Sequence, residues 1–207
     1  MVSGCKRLRV DAEFPELRLI AHAAAVLEQG GVIAYPTDTN YGVGCGILHP
    51  DAIDRVHRLR GLEPDHLLSF ICADLSDIAR YALVENEAYR ILKRYLPGPY
   101  TFILRATPEV PRAFQSPRKT VGIRVPNHPV TLALARLYGK PIVSASTRHG
   151  ERLLGNGEEI DTYFGHGLDL ILDAGDMGSR DSSVVDLSGP YPVVKRVGAG
   201  DVSWVAV

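Results

Sequence analysis

The sequence predicts an α/β fold with a mixed, twisted sheet flanked by helices, and two observations carry that prediction. Amphipathic helical segments alternate with short apolar, β-rich runs along most of the 207 residues, which implies crossover connections and a sheet covered on its faces. Toward the C-terminus three strand-like runs follow one another with no helix between them, which calls for antiparallel additions to the same sheet.

The elements follow in order. Between Pro15 and Gly31, the residues Leu17, Ile20, Ala24 and Leu27 recur at steps of three and four, with a proline near the start and a glycine pair at the end, so this segment reads as an amphipathic helix. The run "VIAYP" (32–36) is a first strand. A helix from Asp51 to Arg60 follows, with Asp51 as its expected cap, and then "HLLSFICA" (66–73) as a strand. A helix over 86–95 is stopped by "PGP", and the runs "YTFILRA" (100–106) and "TVGIRV" (120–125) are strands. The segment "VTLALARLYG" (130–139) is a helix and "PIVSA" (141–145) a strand. The runs "DLILDA", "SSVVDL" and "YPVVKRV" complete a set of about eight strands. No internal repeat, low-complexity tract or linker divides the chain, so one domain over 1–207 is expected.

Composition narrows the function classes. Lys and Arg total 23 against 24 Asp and Glu, so bulk charge does not draw the chain to nucleic acid or anionic lipid, and any anion site has to be local. The three cysteines, Cys5, Cys45 and Cys72, are widely spaced and form no C-x-x-C pair. The seven histidines show no helical i,i+4 pairing, so no metal site is expected. Neither a secretory leader nor a membrane span is legible, which with the cysteine usage predicts a cytoplasmic protein without a membrane partner.

Four stretches have chemistry to offer. "PTDTNYGVGCG" (36–46) crowds hydroxyls, an aspartate, an asparagine and glycines directly after a buried run, where α/β proteins place ligands; it reads equally as a turn-rich connection. Its glycines do not make a dinucleotide fingerprint, because Ile47 stands where the third is needed. "RVHRLRG" (55–61) puts Arg58 and Arg60 at a helix end, where cations suit the macrodipole. Residues two apart on a helix diverge by about 200°, so the pair converges on one anion only if the helix stops there, as Gly61 suggests. Arg124 alternates with Val121, Ile123 and Val125 in a strand. It is either solvated or turned into a cleft, where a guanidinium grips a carboxylate or phosphate at two points. "SASTR" (144–148) is a polar strand end carrying Ser144, Ser146 and Arg148.

Taken together, "GGVIAYPTDTNYGVG", "LPGPYTFIL", "TVGIRVPNHP", "PIVSAS", "SSVVDL" and "VVKRVGAG" resemble, in order and with similar spacing over about 16–200, the YrdC/YciO family. Many members of that family make L-threonylcarbamoyladenylate for modifying adenosine next to tRNA anticodons. The resemblance implies a YrdC/RibB-like twisted mixed sheet with a concave cationic cleft for ATP, L-threonine and a bicarbonate-derived carbamate. Mg²⁺ would enter with ATP, and no tightly bound cofactor is implied. Carried over by position, Thr37, Arg124, Ser144 and Ser183 would serve threonine, and Thr101 and Arg196 the nucleotide. Arg58, Arg60, Ser146 and Arg148 would fall at the phosphate end, with Arg58, Arg60 and Ser146 as the catalytic set.

Synthases of the family usually carry Lys-x-Arg-Pro and Ser-x-Asn where this chain has Arg58-Leu59-Arg60-Gly61 and Ser146-Thr147-Arg148. These changes, with His66 nearby, look like the YciO branch. The resemblance thus leads to a protein that binds ATP or AMP, and with it L-threonine and tRNA or other RNA, for threonylcarbamoyl-adenylate chemistry. The alternatives are a non-catalytic binder of double-stranded RNA or tRNA, and a threonylcarbamoyl hydrolase with His66 as base. Oligomeric state is open.

Overall fold

The computed structural model describes residues 5–63, 66, 68–111, 114 and 119–205. Strands β1 (Lys6–Arg9), β2 (Val32–Pro36), β3 (Tyr41–Gly46), β4 (Ser69–Ile71), β5 (Ala82–Leu83), β6 (Tyr100–Ala106) and β7 (Thr120–Arg124) come from the first part of the chain. β8 (Ile142–Ser146), β9 (Arg148–His149), β10 (Arg152–Leu153), β11 (Leu170–Asp173), β12 (Ser183–Asp186) and β13 (Val193–Arg196) come from the second. The helices are α1 (Leu17–Glu28), α2 (Pro50–Arg60), α3 (Leu75–Tyr81), α4 (Asn86–Tyr95), α5 (Pro129–Tyr138) and α6 (Gly157–Phe164).

Eleven strands form one sheet in the order β1-β11-β2-β3-β8-β4-β7-β6-β12-β13, with β5 paired to β6, and β9 and β10 make a separate hairpin. Pairing is mixed: β1, β11 and β2 are parallel, as are β4 with β7 and β6 with β12, while the remaining contacts are antiparallel. The expected mixed α/β sheet flanked by helices is therefore present.

Two apolar clusters show how the faces are covered. On one face Ile20 and Leu27 of α1 and Val130 and Leu134 of α5 pack with Ile33 and Tyr35 of β2 and Ile142 of β8. On the other face α2, α3, α4 and α6 contribute Val56, Ile78, Leu92 and Phe164, packed with Val43, Phe70, Phe102, Ile123, Val143 and Val185 from six consecutive parts of the sheet. The α1–α5 layer reaches only part of its face. Across β4, β7, β6 and β12 that face carries mostly small and polar residues, with Ile71, Ile103 and Val184 among them, while Phe70, Ile123, Phe102 and Val185 alternate to the opposite side.

Several local expectations need correction. Residues 41–46 are not a loop but β3, a fully buried interior strand paired to β2 and β8. Its glycines hid it, and close packing explains them: a Cβ on Gly44 would lie 2.5 Å from the Val143 carbonyl oxygen. Asp51 does not cap α2; His49 occupies that position, Pro50 opens the helix and Asp51 sits in the first turn. The strand foreseen over 66–73 shortens to Ser69–Ile71, and residue 67 lies outside the described residues. Helices α3 and α6 were not anticipated, although each has a polar cap, with Asp74 accepting from the Asp77 amide and Asn156 from that of Glu159.

Candidate functional site

The uncovered part of the sheet face is a cleft of about 480 Å³. Its floor is written in alternate residues of neighbouring strands: Gly42 from β3, Ser144 and Ser146 from β8, Ser69 and Ile71 from β4, Gly122 and Arg124 from β7, and Thr101 and Ile103 from β6. Register keeps them in contact, since Gly42 lies opposite Ser146, Ser69 opposite Ser144, and Ile71 opposite Arg124. Arg60, Arg148, Asp181, Ser182 and Arg196 form the walls. Four guanidinium groups and a series of hydroxyls therefore face one volume, and Asp181 is the one carboxylate among the described lining residues.

Arg124 is turned inward rather than solvated, and is buried. Its Nη2 donates to Asp38 Oδ1 at 2.5 Å, Thr39 Oγ1 at 2.7 Å and Thr37 Oγ1 at 3.1 Å. Asp38 also accepts from the Asn127 amide at 3.0 Å, which ties the turn after β2 to the end of β7. Thr37 is fixed in turn, its hydroxyl donating to the Asn40 carbonyl at 2.5 Å. Nε of Arg124 is buried and has no hydrogen-bond partner among the described residues. Nearby, the buried Tyr35 hydroxyl donates to Ser144 Oγ at 2.5 Å, and burial pushes the Tyr35 pKa well up, so Tyr35 stays a neutral donor.

The far wall is a second linked set. Arg196 Nε donates to the Ser182 carbonyl at 3.0 Å and Nη2 to Ser182 Oγ at 3.2 Å, and Ser182 Oγ pairs with Thr101 Oγ1 at 2.9 Å. Arg60 donates through Nη1 to the Arg148 carbonyl, and Arg148 Nη2 stands 2.5 Å from Asp181 Oδ2. Burial, with Arg148 close by, pushes the Arg60 pKa down to about 10, which leaves it protonated at neutral pH.

The residues singled out in the sequence divide accordingly. Thr37, Arg60, Thr101, Arg124, Ser144, Ser146, Arg148 and Arg196 all line the cleft. Arg58 does not: α2 runs through to Arg60 before Gly61 ends it at φ 59°, so Arg58 projects elsewhere, exposed, with Nε donating to the Asp54 carbonyl. Ser183 also lies off the lining. It is fully buried on the alternate side of β12, donating to the Gly200 carbonyl at 2.6 Å and accepting from the Gly198 amide, and Ser182 takes the cleft position instead. Thr147 of "SASTR" is likewise structural, bonding the Tyr41 and Leu154 carbonyls. His66 is exposed at the cleft, and its carbonyl accepts from His57 Nε2 at 2.9 Å. Sequence reasoning took in Asp38 and Thr39 only as part of the 36–46 stretch and missed Ser69, Asp181 and Ser182; no polar–apolar alternation marks the two serines, because Ile71 and Val184 share their face.

Among the described residues, no group of three or more His, Cys, Asp or Glu stands together to hold a metal ion, and no helix is long and apolar enough to cross a membrane.

An α/β protein whose mixed sheet presents an arginine- and hydroxyl-lined cleft on one half-covered face is the class that these features define. The family model described as "Telomere recombination", for Sua5, YciO and YrdC proteins, matches residues 25–198. The chain belongs to this family. YciO of Escherichia coli K12 is 42% identical over 191 residues, covering 91% of this chain and 93% of its own. The crystal structure of E. coli YciO superposes with a TM-score of 0.93 at 39% identity, covering 98% of this chain and all of the other. The threonylcarbamoyl-AMP synthase of Halorhodospira halophila is 36% identical over 155 residues, 74% of this chain and 81% of that protein. The crystal structure of P. abyssi Sua5 complexed with L-threonine superposes with a TM-score of 0.86 at 30% identity, covering 93% of this chain and 57% of the other. The family thus includes threonylcarbamoyl-AMP synthases and a member that binds L-threonine.

Proposed function

We propose that the cleft binds an adenine nucleotide together with L-threonine and supports threonylcarbamoyl-adenylate chemistry. The observation that carries this reading is the convergence of Arg60, Arg124, Arg148 and Arg196, with serine and threonine hydroxyls between them, on one bounded volume. Cations gathered on a cavity of about 480 Å³ suit a small polyanion better than a long duplex, which needs positive charge spread along an exposed surface.

In this reading Arg124, steadied by Asp38, receives the threonine carboxylate beside Thr37, with Ser144 at hand. Thr101 and Arg196 hold the nucleotide, and Arg60, Ser146 and Arg148 meet the phosphates. The threonine amine forms an N–C bond to bicarbonate carbon while a C–O bond breaks and water leaves. An oxygen of the resulting carbamate then attacks the α-phosphorus; a P–O bond forms, the bond to the β-phosphate breaks, and pyrophosphate leaves with its electron pair. The transition state spreads negative charge over oxygens, so fixed guanidinium groups and hydroxyl donors supply what the reaction needs, and no nucleophilic side chain is required. Mg²⁺ would arrive with ATP as part of the substrate, because Asp181 is already paired with Arg148. The product is of the kind consumed in modifying tRNA.

The test is incubation with ATP, bicarbonate and L-threonine while pyrophosphate release is followed, for the wild type and for Arg148→Asn. Threonine-dependent release is expected, and restoring the synthase-type residue is expected to raise it. Release that is absent from both proteins, or indifferent to threonine, overturns the catalytic reading.

A further inference from the structure

Arg148 and Asp181 line the cleft and also a second, more open cavity of about 650 Å³, where they are joined by Glu151, Asn156, Glu159 and Asp176. The ion pair between them is the wall common to both spaces. Arg148 has both ends of its fork engaged, Nη2 with Asp181 Oδ2 at 2.5 Å and Nη1 with the Glu151 carbonyl at 2.6 Å. Arg60 is held against the Arg148 carbonyl, and its buried Nε has no partner among the described residues. Two guanidinium groups thus stand near each other, and one lining carboxylate, Asp181, is paired with Arg148 and close enough to influence Arg60. Burial is the main reason the Arg60 pKa is lowered, with Arg148 adding to the shift and Asp181 opposing it.

We propose that Asp181 is a built-in competitor for phosphate: its carboxylate occupies the anion seat of Arg148 and Arg60, and a ligand binds there only by displacing it. This sets which anions the cleft accepts. A singly charged carboxylate offers Arg148 no more than Asp181 already does, whereas a polyphosphate brings more charge and enough oxygens to engage Arg148 and Arg60 together. Displacement has a cost, because a freed Asp181 shares its second cavity with Glu151, Glu159 and Asp176. The identity of the natural ligand rests on the nucleotide reading above, but the seat itself does not.

The probe is therefore inorganic pyrophosphate, titrated calorimetrically at constant low salt into the wild type, Asp181→Asn and the double variant Asp181→Asn with Arg148→Gln. Circular dichroism checks that each is folded, and Asp181→Ser replaces Asp181→Asn if the amide variant does not fold. Asp181→Asn is expected to bind pyrophosphate about tenfold more tightly than the wild type, and the double variant to lose that gain. Unchanged or weaker binding by Asp181→Asn, or a gain that survives loss of Arg148, overturns the proposal. ATP titrated in parallel separates the two readings: a gain for pyrophosphate with no ATP binding by any variant supports the seat and overturns the nucleotide assignment.

Discussion

Arg124 meets three acceptors through one nitrogen, and the surrounding residues are organised to keep it there. Both members of the Arg124–Asp38 pair are about nine-tenths buried, so truncating one leaves the other as an uncompensated charge. Arg124→Ala is expected to destabilise the fold by about 3 kcal/mol, measured by denaturant unfolding. A second residue-scale prediction concerns His128, buried at the start of α5, where its Nδ1 accepts from the Val130 amide. Burial holds its pKa below the usual 6.5, with Asp38 and Glu13 pulling weakly the other way. The unfolded chain therefore binds a proton more readily than the folded one, so stability rises with pH up to about 6.5 and is lost as acid is added. His128→Asn, which keeps a capping side chain, is expected to flatten that slope in thermal unfolding followed across mildly acidic pH. At this scale the sequence showed Thr37, Arg60, Arg124, Ser146 and Arg148 through their motifs. It did not show Asp38 or Asp181, whose partners lie 86 and 33 residues away and are set by strand pairing.

β3 is where local pattern and tertiary packing part company. Three glycines in six residues argue against a strand by propensity, yet this segment lies between β2 and β8 and brings Gly42 to the cleft floor. The reason is steric: side chains and backbone from both flanks come close enough to exclude a Cβ, with the Tyr35 ring within 2.9 Å of one placed on Gly42. Gly44→Ala is expected to lower stability by about 2 kcal/mol or more and to broaden the unfolding transition, because Val143 backbone cannot move aside without breaking the β3–β8 ladder. At the other extreme α3 is a short helix secured by its cap. Asp74→Ala is expected to cost about 1 kcal/mol in chemical denaturation, with the cleft unaffected. Helices α1, α2, α4 and α5 were legible because their apolar stripes are long enough to show a period. The α3 and α6 helices, of 7 and 8 residues, are too short for that signal to rise above the loops around them.

Over the whole molecule one design principle links sequence to site. The strands from β8 to β12 place Val143, Phe70, Ile123, Phe102 and Val185 on one face, against α2, α3, α4 and α6, and present mainly glycine, serine, threonine and arginine on the other, with Ile71, Ile103 and Val184 among them. α1 and α5 cover only part of that polar face, so a cleft remains without any loop having to build it. The fold class was legible from helix–strand alternation, whereas the cleft depends on strand order and register, which one-dimensional patterns do not carry. The central claim, that this open face is a threonine and nucleotide site anchored on Arg124, is tested most directly by calorimetric titration of L-threonine in the presence and absence of ATP, for the wild type and Arg124→Lys. Saturable threonine binding that strengthens with ATP and falls at least about tenfold in Arg124→Lys is predicted, since an ammonium cannot replace the two-point grip of a guanidinium. Absence of threonine binding at millimolar ligand, or binding of equal strength in the folded variant, would contradict it.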